Sequence, residues 1–390
     1  MTFAGRLALL TYSTKPRGGV VHSLELAEAL SRQGVDVHLF ALGSPGTSFF
    51  RPTSVPFTLF PAVDQAQSLD EKVFASVASM AEGLSGLRDT FDLIHAQDCI
   101  SGRAAMAVSR SGPIIPVIRT VHHVDDFTTQ ALIDCQRQAI VEPDRILVVS
   151  HTWQTTLQDE YGVPADIVPN GVRPERFPQI SNVQKMALRE SVGVTDGSMI
   201  LAVGGVEPRK GSRELFQALG ILKSRGHRVR LVILGGHSFQ DYEDYRQGAL
   251  GLLPELGLEL GRDVITVGTV DEQALGQWFR AADVLAYPST KEGFGLVALE
   301  GLAADLPVVA SSIPVFKEFL TDGVSALLPE TGNPEAISGA IESILLSNDL
   351  RSRLIAGGQS VLAGYTWEAS ATQHCDIYRE VLEKFGSEPH

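Results

Sequence analysis

Short apolar runs alternate along this chain with longer stretches in which apolar residues recur every three or four positions. The short runs read as buried strands and the longer period as amphipathic helices, which together make the pattern of βαβ units and a parallel sheet. In the first half, strands are predicted at Arg6–Ser13, Val35–Leu42, Leu93–Ala96, Pro116–Val121, Arg145–Ser150 and Asp166–Pro169. Between the first two, Val20–Gln33 puts Val20, Val21, Leu24, Ala27 and Leu30 on one helical face, and Gly34 supplies a stop. A second series has strands at Met199–Gly204, Arg230–Leu234, Val264–Val267, Val284–Tyr287, Pro307–Ala310 and Ala326–Leu328. Helices are predicted there at Arg213–Arg225, Glu272–Ala281, Phe294–Ala304 and Pro334–Leu346.

The segment Asn170–Ser198, rich in Pro and Gly at its start, reads as a connection between two domains, 1–172 and 173–365. A last helix, over 366–386, follows a break at Gly364–Tyr365 and on topological grounds is a candidate to cross back to the first domain. At 390 residues the chain suits two domains of ordinary size. Hydrophobic residues make up 44% and charged residues 20%, enough apolar surface for packed interiors. The net charge of −14, with neither half basic, argues against nucleic acid or an anionic membrane surface as partner. Three widely spaced cysteines, Cys99, Cys135 and Cys375, form neither a disulfide framework nor a thiolate metal site and suit a reducing compartment. No stretch approaches about 18 uninterrupted apolar residues, and the expected location is the cytoplasm.

Three loops carry candidate chemistry. After the first strand, Lys15-Pro16-Arg17-Gly18-Gly19-Val20 opens a helix, where exposed amides and the helix dipole favour an anion. A tight turn with no ligand would use the same glycines. At the matching place in the second series, Val203-Gly204-Gly205-Val206-Glu207-Pro208-Arg209-Lys210-Gly211 adds two adjacent cations. Such a pair can neutralise charge that builds on a leaving diphosphate, work that a metal would otherwise do, or be simply a solvated turn. In Pro288–Glu300, Glu292 and Glu300 stand with seven residues between them around a predicted helix start. Eight helical steps span about 12 Å. That exceeds the roughly 5–9.5 Å of a glycosidase carboxylate pair and suits two carboxylates gripping separate parts of one long ligand. The bland alternative makes Glu292 a dipole partner and Glu300 a solvated helix residue.

The Glu292…Glu300 stretch resembles the E-x7-E motif of the retaining family-four glycosyltransferases, which adopt the GT-B fold of two Rossmann-like α/β domains facing each other across a cleft. Further segments match that pattern: Gly18-Gly19, Ile167–Val172, Lys210-Gly211, Leu234–Gly236, Val267–Val270, Ala282–Ser289 and Tyr365–Glu368. The resemblance spans nearly the whole chain, and its motifs are specific jointly rather than singly. It implies transfer of a sugar, with retention and without a metal or other cofactor, from a UDP- or GDP-type donor. Glu300 would then bind the ribose hydroxyls and Glu292 the sugar hydroxyls. Amides of Phe294, Gly295 and Leu296, with Lys210, would hold the diphosphate. Backbone around Val270 would face the base, and Gly19 would close on the phosphates from the other domain. His122, at a strand end in Arg119–Asp125, resembles the family's active-site histidine, with His123 solvated or behind it. A metal held by His122, His123 and Asp125 matches no strong metal spacing.

The sequence departs from the family at four places. Gly205 stands where an Arg is usual, so that either Arg209 supplies the second cation or diphosphate binding is weakened. Arg173 replaces an Asp after Asn-Gly-Val, Ser311–Val315 departs from Gly-Gly-x-Pro-Glu, and Gln97 replaces a frequent His. The alternatives are a sugar-nucleotide epimerase or phosphorylase of the same fold, or a non-catalytic nucleotide-sugar binder. A dinucleotide-dependent oxidoreductase lacks support, because the first βα turn has no third glycine. The acceptor would lie on the first-domain loops 43–58, 98–101 and 123–129. These show no lipid-binding helix and no basic stripe, which favours a small soluble acceptor over a membrane lipid.

Overall fold

The computed structural model describes residues 3–44, 46–63, 66–236 and 242–387. Of the loop 43–58 expected to face an acceptor, Pro45 lies outside the described residues. The chain divides into two compact units, one of Met1–Gly171 with Trp367–His390 and one of Val172–Thr366.

The first unit runs β1 (Arg6–Thr11), α1 (Gly18–Arg32), β2 (Asp36–Gly43), β3 (Phe57–Pro61), α2 (Leu69–Ser85), β4 (Leu93–Ala96) and α3 (Cys99–Ser109). It continues through β5 (Val117–Val121), α4 (Gln130–Val141), β6 (Arg145–Val148), α5 (His151–Tyr161) and β7 (Asp166–Ile167). Its seven strands lie in the order β3-β2-β1-β4-β5-β6-β7, and every pairing is parallel. Leu7–Thr11 are buried without alternation, as both faces of a helix-covered parallel sheet require. β3 and α2 escaped the sequence reading. β3 is an edge strand of mixed exposure, and α2 buries only Val73, Ser76, Met80 and Leu84, too sparse an apolar stripe to announce itself.

The second unit contains α6 (Asn182–Ser191), β8 (Ser198–Val203), α7 (Ser212–Ser224), β9 (Val229–Leu234), α8 (Glu243–Gly251), β10 (Val264–Gly268) and α9 (Glu272–Ala281). It ends with β11 (Val284–Tyr287), α10 (Leu296–Ala303), β12 (Val308–Ala310), α11 (Pro314–Lys317), α12 (Pro334–Leu346) and α13 (Asn348–Leu362). The order is β10-β9-β8-β11-β12, again all parallel. The last helix, α14 (Trp367–Ser387), belongs to the first unit. It is tied to the end of α1, where Gln33 Nε2 donates to Glu368 O at 2.8 Å and Arg32 pairs with Glu368 at 2.8 Å.

Three local readings need correction. The helix predicted from Phe294 begins at Leu296, because Gly295 takes a left-handed conformation with φ +98°. Ala326–Leu328 is not a strand but carries two isolated bridges, Leu327 with Val309 and Ala326 with Asp322, and the Leu328 amide turns to Asp322 Oδ1 at 2.8 Å. The segment taken as a connector carries α6, whose N-terminus is closed by a reciprocal Ser181–Gln184 capping box. α6 buries none of its residues and so shows no core-facing face in the sequence.

Both sheets reverse winding direction at their first strand. β1 lies between β2 and β4, and β8 lies between β9 and β11. In such sheets the loops leaving the carboxyl ends diverge to opposite faces and open a crevice there. Gly18 and Gly19 follow β1 and His122 follows β5, while Arg209 and Lys210 follow β8, Val270 follows β10 and Glu292 to Glu300 follow β11.

Candidate active site

In the second unit, three loops at the carboxyl edge pack backbone against backbone. The Gly204 amide donates to Leu234 O at 2.7 Å and the Gly235 amide to Gly268 O at 2.9 Å. A methyl group on Gly236 would lie 2.6 Å from Thr269 Oγ1. Val270 lies next to that contact, on the loop between β10 and α9. The turn at 208–210 is tied across to the loop after β11, where the Thr290 amide donates to Arg209 O at 2.8 Å.

This tie brings Arg209, Lys210 and Glu292 together. Lys210 Nζ lies 2.6 Å from Glu292 Oε1 and donates to Tyr287 Oη at 2.9 Å, and Arg209 Nη1 lies 3.3 Å from the same carboxylate oxygen. The Glu292 side chain is 8% exposed and Lys210 is 12% exposed, whereas Arg209 reaches outward at 44%. Burial pushes the Glu292 carboxyl up. The charges of Lys210 and Arg209, with hydrogen bonds from Lys210 and Tyr287, overcome that and hold it at about 2. Burial also pulls the Lys210 ammonium down from its ordinary value, against the pull of Glu292.

Gly205, where the family usually has Arg, has no room for a side chain. A Cβ there would lie 2.8 Å from Gly236 O and 3.0 Å from Glu207 Oε1. Glu207 is buried and pairs with Arg209 Nε at 3.3 Å, so one guanidinium spans Glu207 and Glu292. A small cavity of about 20 Å³, lined in part by Gly204, Gly205, Lys210 and Tyr287, lies alongside and has room for about one water.

Three residues beyond Glu292, Gly295 caps α10 with no side-chain hydrogen bond. A first helical turn leaves its amides without intrahelical partners, so the Leu296 end of α10 presents donors and the positive end of the dipole. Phe294 is fixed behind it by stacking on Phe319, with ring centres 5.3 Å apart. Glu300 lies in the second turn of α10, closer to the helix start than the sequence reading placed it. It is buried and paired with Arg176 Nη1 at 2.9 Å, and Arg176 Nε lies 2.5 Å from Glu272 Oε1. Arg173, the departure from Asp, also reaches Glu272, at 3.5 Å. Arg176 thus joins Glu300 to the start of α9, two residues beyond Val270. Nothing in the sequence around Arg176 marks this role, because a partner 124 positions away leaves no local signal.

In the first unit, Gly18 and Gly19 form the start of α1, where the Arg17 side chain does not cap the helix amides and instead donates to Tyr12 Oη at 2.9 Å. A Cβ on Gly19 would lie 3.8 Å from His122 Cδ2, so these two predicted residues are neighbours, while Gly18 faces open space. His122 Nε2 lies 3.0 Å from Gln97 Oε1. Burial, then the neighbouring His22, push His122 well below the ordinary histidine range, so it is neutral. His123 pairs instead with Asp125, at 3.3 Å. The candidates therefore form two groups, Gly18, Gly19 and His122 in one unit and Arg209, Lys210, Val270, Glu292, Phe294, Gly295, Leu296 and Glu300 in the other.

Residues 16–176 match the family described as Glycosyltransferase Family 4, and residues 185–361 match Glycosyl transferases group 1. A D-inositol 3-phosphate glycosyltransferase of Saccharomonospora viridis is 30% identical, covering 95% of this chain and 91% of that protein. Its namesake from Xylanimonas cellulosilytica is 28% identical over 97% of each. The solved sucrose-phosphate synthase from Thermosynechococcus elongatus superposes with a TM-score of 0.82 at 22% identity, covering 97% of this chain and 99% of that one. Anabaena HepE, solved with UDP and glucose, gives 0.76 at 18% identity over 96% and 100%. These likenesses run the length of the chain, through both units and both groups of candidate residues, and the chain belongs to the glycosyltransferases, as an enzyme of the GT-B fold and family-four type.

Proposed function

We propose that this enzyme moves a sugar from a UDP- or GDP-type donor to a small hydroxylated acceptor, with retention at the anomeric carbon and without a metal ion. The observation that carries this reading is Glu292, ionised and nearly out of solvent against Lys210 and Arg209, just ahead of an uncapped helix start. Two cations and a helix dipole aimed at one place stabilise the negative charge that develops on a departing diphosphate. Glu292 holds those cations in position and accepts hydrogen bonds from sugar hydroxyls. Amides at Phe294, Gly295 and Leu296 bind phosphate oxygens, and the amides at Gly18 and Gly19 that open α1 likewise suit an anion. Glu300, held by Arg176, accepts from the ribose hydroxyls, and backbone near Val270 faces the base. His122 hydrogen-bonds the donor sugar.

As the bond from the anomeric carbon to the phosphate oxygen breaks, the acceptor oxygen bonds to that carbon from the same face. The released phosphate oxygen takes the acceptor's proton, so no separate base is required. The similar Anabaena protein, solved with UDP and glucose, supports a nucleotide-sugar donor. Relatives named for D-inositol 3-phosphate support a small polar acceptor. No helix among the described residues is long and apolar enough to cross a membrane, and three free thiols suit the cytoplasm.

The test is a thermal-shift panel of nucleoside diphosphates and their sugar conjugates, followed by transfer assays with polyol and hexose acceptors. A binder of the native state raises its melting temperature. UDP or GDP should do so, the product should keep the donor's anomeric configuration, and chelator should leave the rate unchanged. Glu292→Ala should abolish transfer while the fold persists. Full activity in that variant, or an inverted product, would overturn the reading.

A further inference from the structure

Three histidines, His22, His95 and His374, are buried together in the first unit with His122 half-buried against them, and sugar transfer as described uses only His122. The ring of His22, on α1, stands edge-on to His122 with centres 4.5 Å apart. His22 Nδ1 lies 2.7 Å from Asn170 Oδ1. His95, on β4, lies 5.4 Å from His374 on α14. Its Nδ1 is 2.7 Å from Tyr378 Oη, and its Nε2 is 2.8 Å from Thr120 Oγ1. Gln97, one of the departures from the family pattern, joins His95 to His122. Its Oε1 is 3.0 Å from His122 Nε2 and its Nε2 is 3.1 Å from His95 Nε2.

A primary amide has one end that only accepts and one that only donates, so these two contacts set both tautomers at once. The amide N–H needs the lone pair on His95 Nε2, which it shares with the Thr120 hydroxyl as a second donor; this puts the His95 proton on Nδ1, where it is donated to Tyr378 Oη. The amide oxygen needs a proton from His122, so neutral His122 carries its hydrogen on Nε2. Its Nδ1 is then left as an acceptor. Resting on the reading of His122 as a site residue, we infer that Gln97 is its positioning residue, fixing through the His95–Tyr378 chain the tautomer whose Nδ1 accepts a hydrogen bond from a substrate hydroxyl.

Glutamine suits this work because it cannot ionise. A carboxylate in its place would stabilise the imidazolium and turn the Nδ1 acceptor into a donor. The groups that act most strongly on His122 are His22 from α1, His95 from β4, and Arg119 and His123 from β5 and its end. All are neutral or cationic, and they disfavour a second proton on His122.

Nitrogen-15 NMR of histidine-labelled full-length protein tests the assignment without substrate. Wild-type His122 should be neutral with its proton on Nε2 from pH 6 to 8, and a proton on Nδ1 overturns the proposal. Gln97→Glu should raise the His122 pKa, and its transfer rate should fall at least tenfold between pH 9 and pH 6. Its thermal shift with UDP or GDP should change less than twofold, because the groups assigned to the diphosphate lie mainly in the other unit. Gln97→Met, which removes both hydrogen bonds without a charge, should lose the single tautomer. A flat pH profile for Gln97→Glu, or an unaltered tautomer in Gln97→Met, overturns the proposal. Full transfer by His122→Ala would remove His122 from the site and the catalytic half of the inference with it, whereas the tautomer read by NMR is decided separately.

Discussion

Glu292 shows how one carboxylate serves two ends. Its ionised form is opposed by burial and secured by Lys210 and Arg209, so the stability it contributes is present above the ordinary carboxylate pKa. That contribution is lost as pH falls towards about 2. Removing Lys210 deletes the strongest of the opposing influences and leaves Arg209 and Tyr287 set against burial. Lys210→Met should therefore cost about 10²-fold in kcat, and the acid limb of its residual activity should move to higher pH than in the wild type. A pH–rate profile with an unshifted acid limb would show that Lys210 does not hold the carboxylate ionised. The residue types were legible in advance, since Arg209-Lys210 and Glu292…Glu300 stand out as motifs. Their pairing was not, because Lys210 and Glu292 are 82 positions apart. Gly205, a departure whose meaning the sequence left open, is explained by the backbone of Gly236 and the carboxylate of Glu207, which fill the space its side chain would need.

At the scale of elements, α10 decides the geometry of the second unit's candidate site. Its start is set by Gly295, whose positive φ and close approach to Phe316 Cε1, 2.4 Å from a built Cβ, both demand glycine. A left-handed conformation costs an alanine about 1–2 kcal/mol, and overpacking against the Phe316 ring adds about 1–3 kcal/mol. Gly295→Ala should thus lower unfolding free energy by roughly 2–5 kcal/mol in urea titrations. Gly339→Ala, in the body of α12 with open space around it, should be neutral or stabilising by up to about 1 kcal/mol. Equal effects of the two substitutions would remove the argument for a special backbone at the site. The glycine itself was visible in the sequence, but its effect on the helix start was not, since a helical period runs unbroken through Phe294. Arg176 likewise needed the fold, because it acts by joining α9 to α10.

At the scale of the whole chain, two doubly wound units place glycine-opened loops where winding direction reverses, Gly18 and Gly19 after β1 and Gly204 to Lys210 after β8. The first unit adds an acid-sensitive interior. Burial holds His22 at about 3 and His374 at about 4, and it pushes His95 and His122 well below their ordinary value. In the unfolded chain these groups take up protons below about pH 6.5, and in the folded chain they do not. The unfolded state therefore binds more protons in that window, and stability falls as pH drops from about 6.5 to 5, by up to about 1.4 kcal/mol per pH unit for each histidine. Urea midpoints across that range should show the slope, and His374→Gln should reduce it by about one proton. A midpoint constant from pH 6.5 to 5 would contradict a neutral buried cluster.

The sequence by itself determined the class of fold and the location of its loops. Apolar runs of strand length separated by helical periods have few other ways to bury their surface, and glycines and charges collect where the strands end. Tertiary structure alone decided which side chains meet. Lys210 with Glu292, Glu300 with Arg176, and Gln97 between two histidines are made by strands and helices brought side by side. Periodicity records which face of an element is buried, and it holds no trace of what lies against that face from a distant part of the chain.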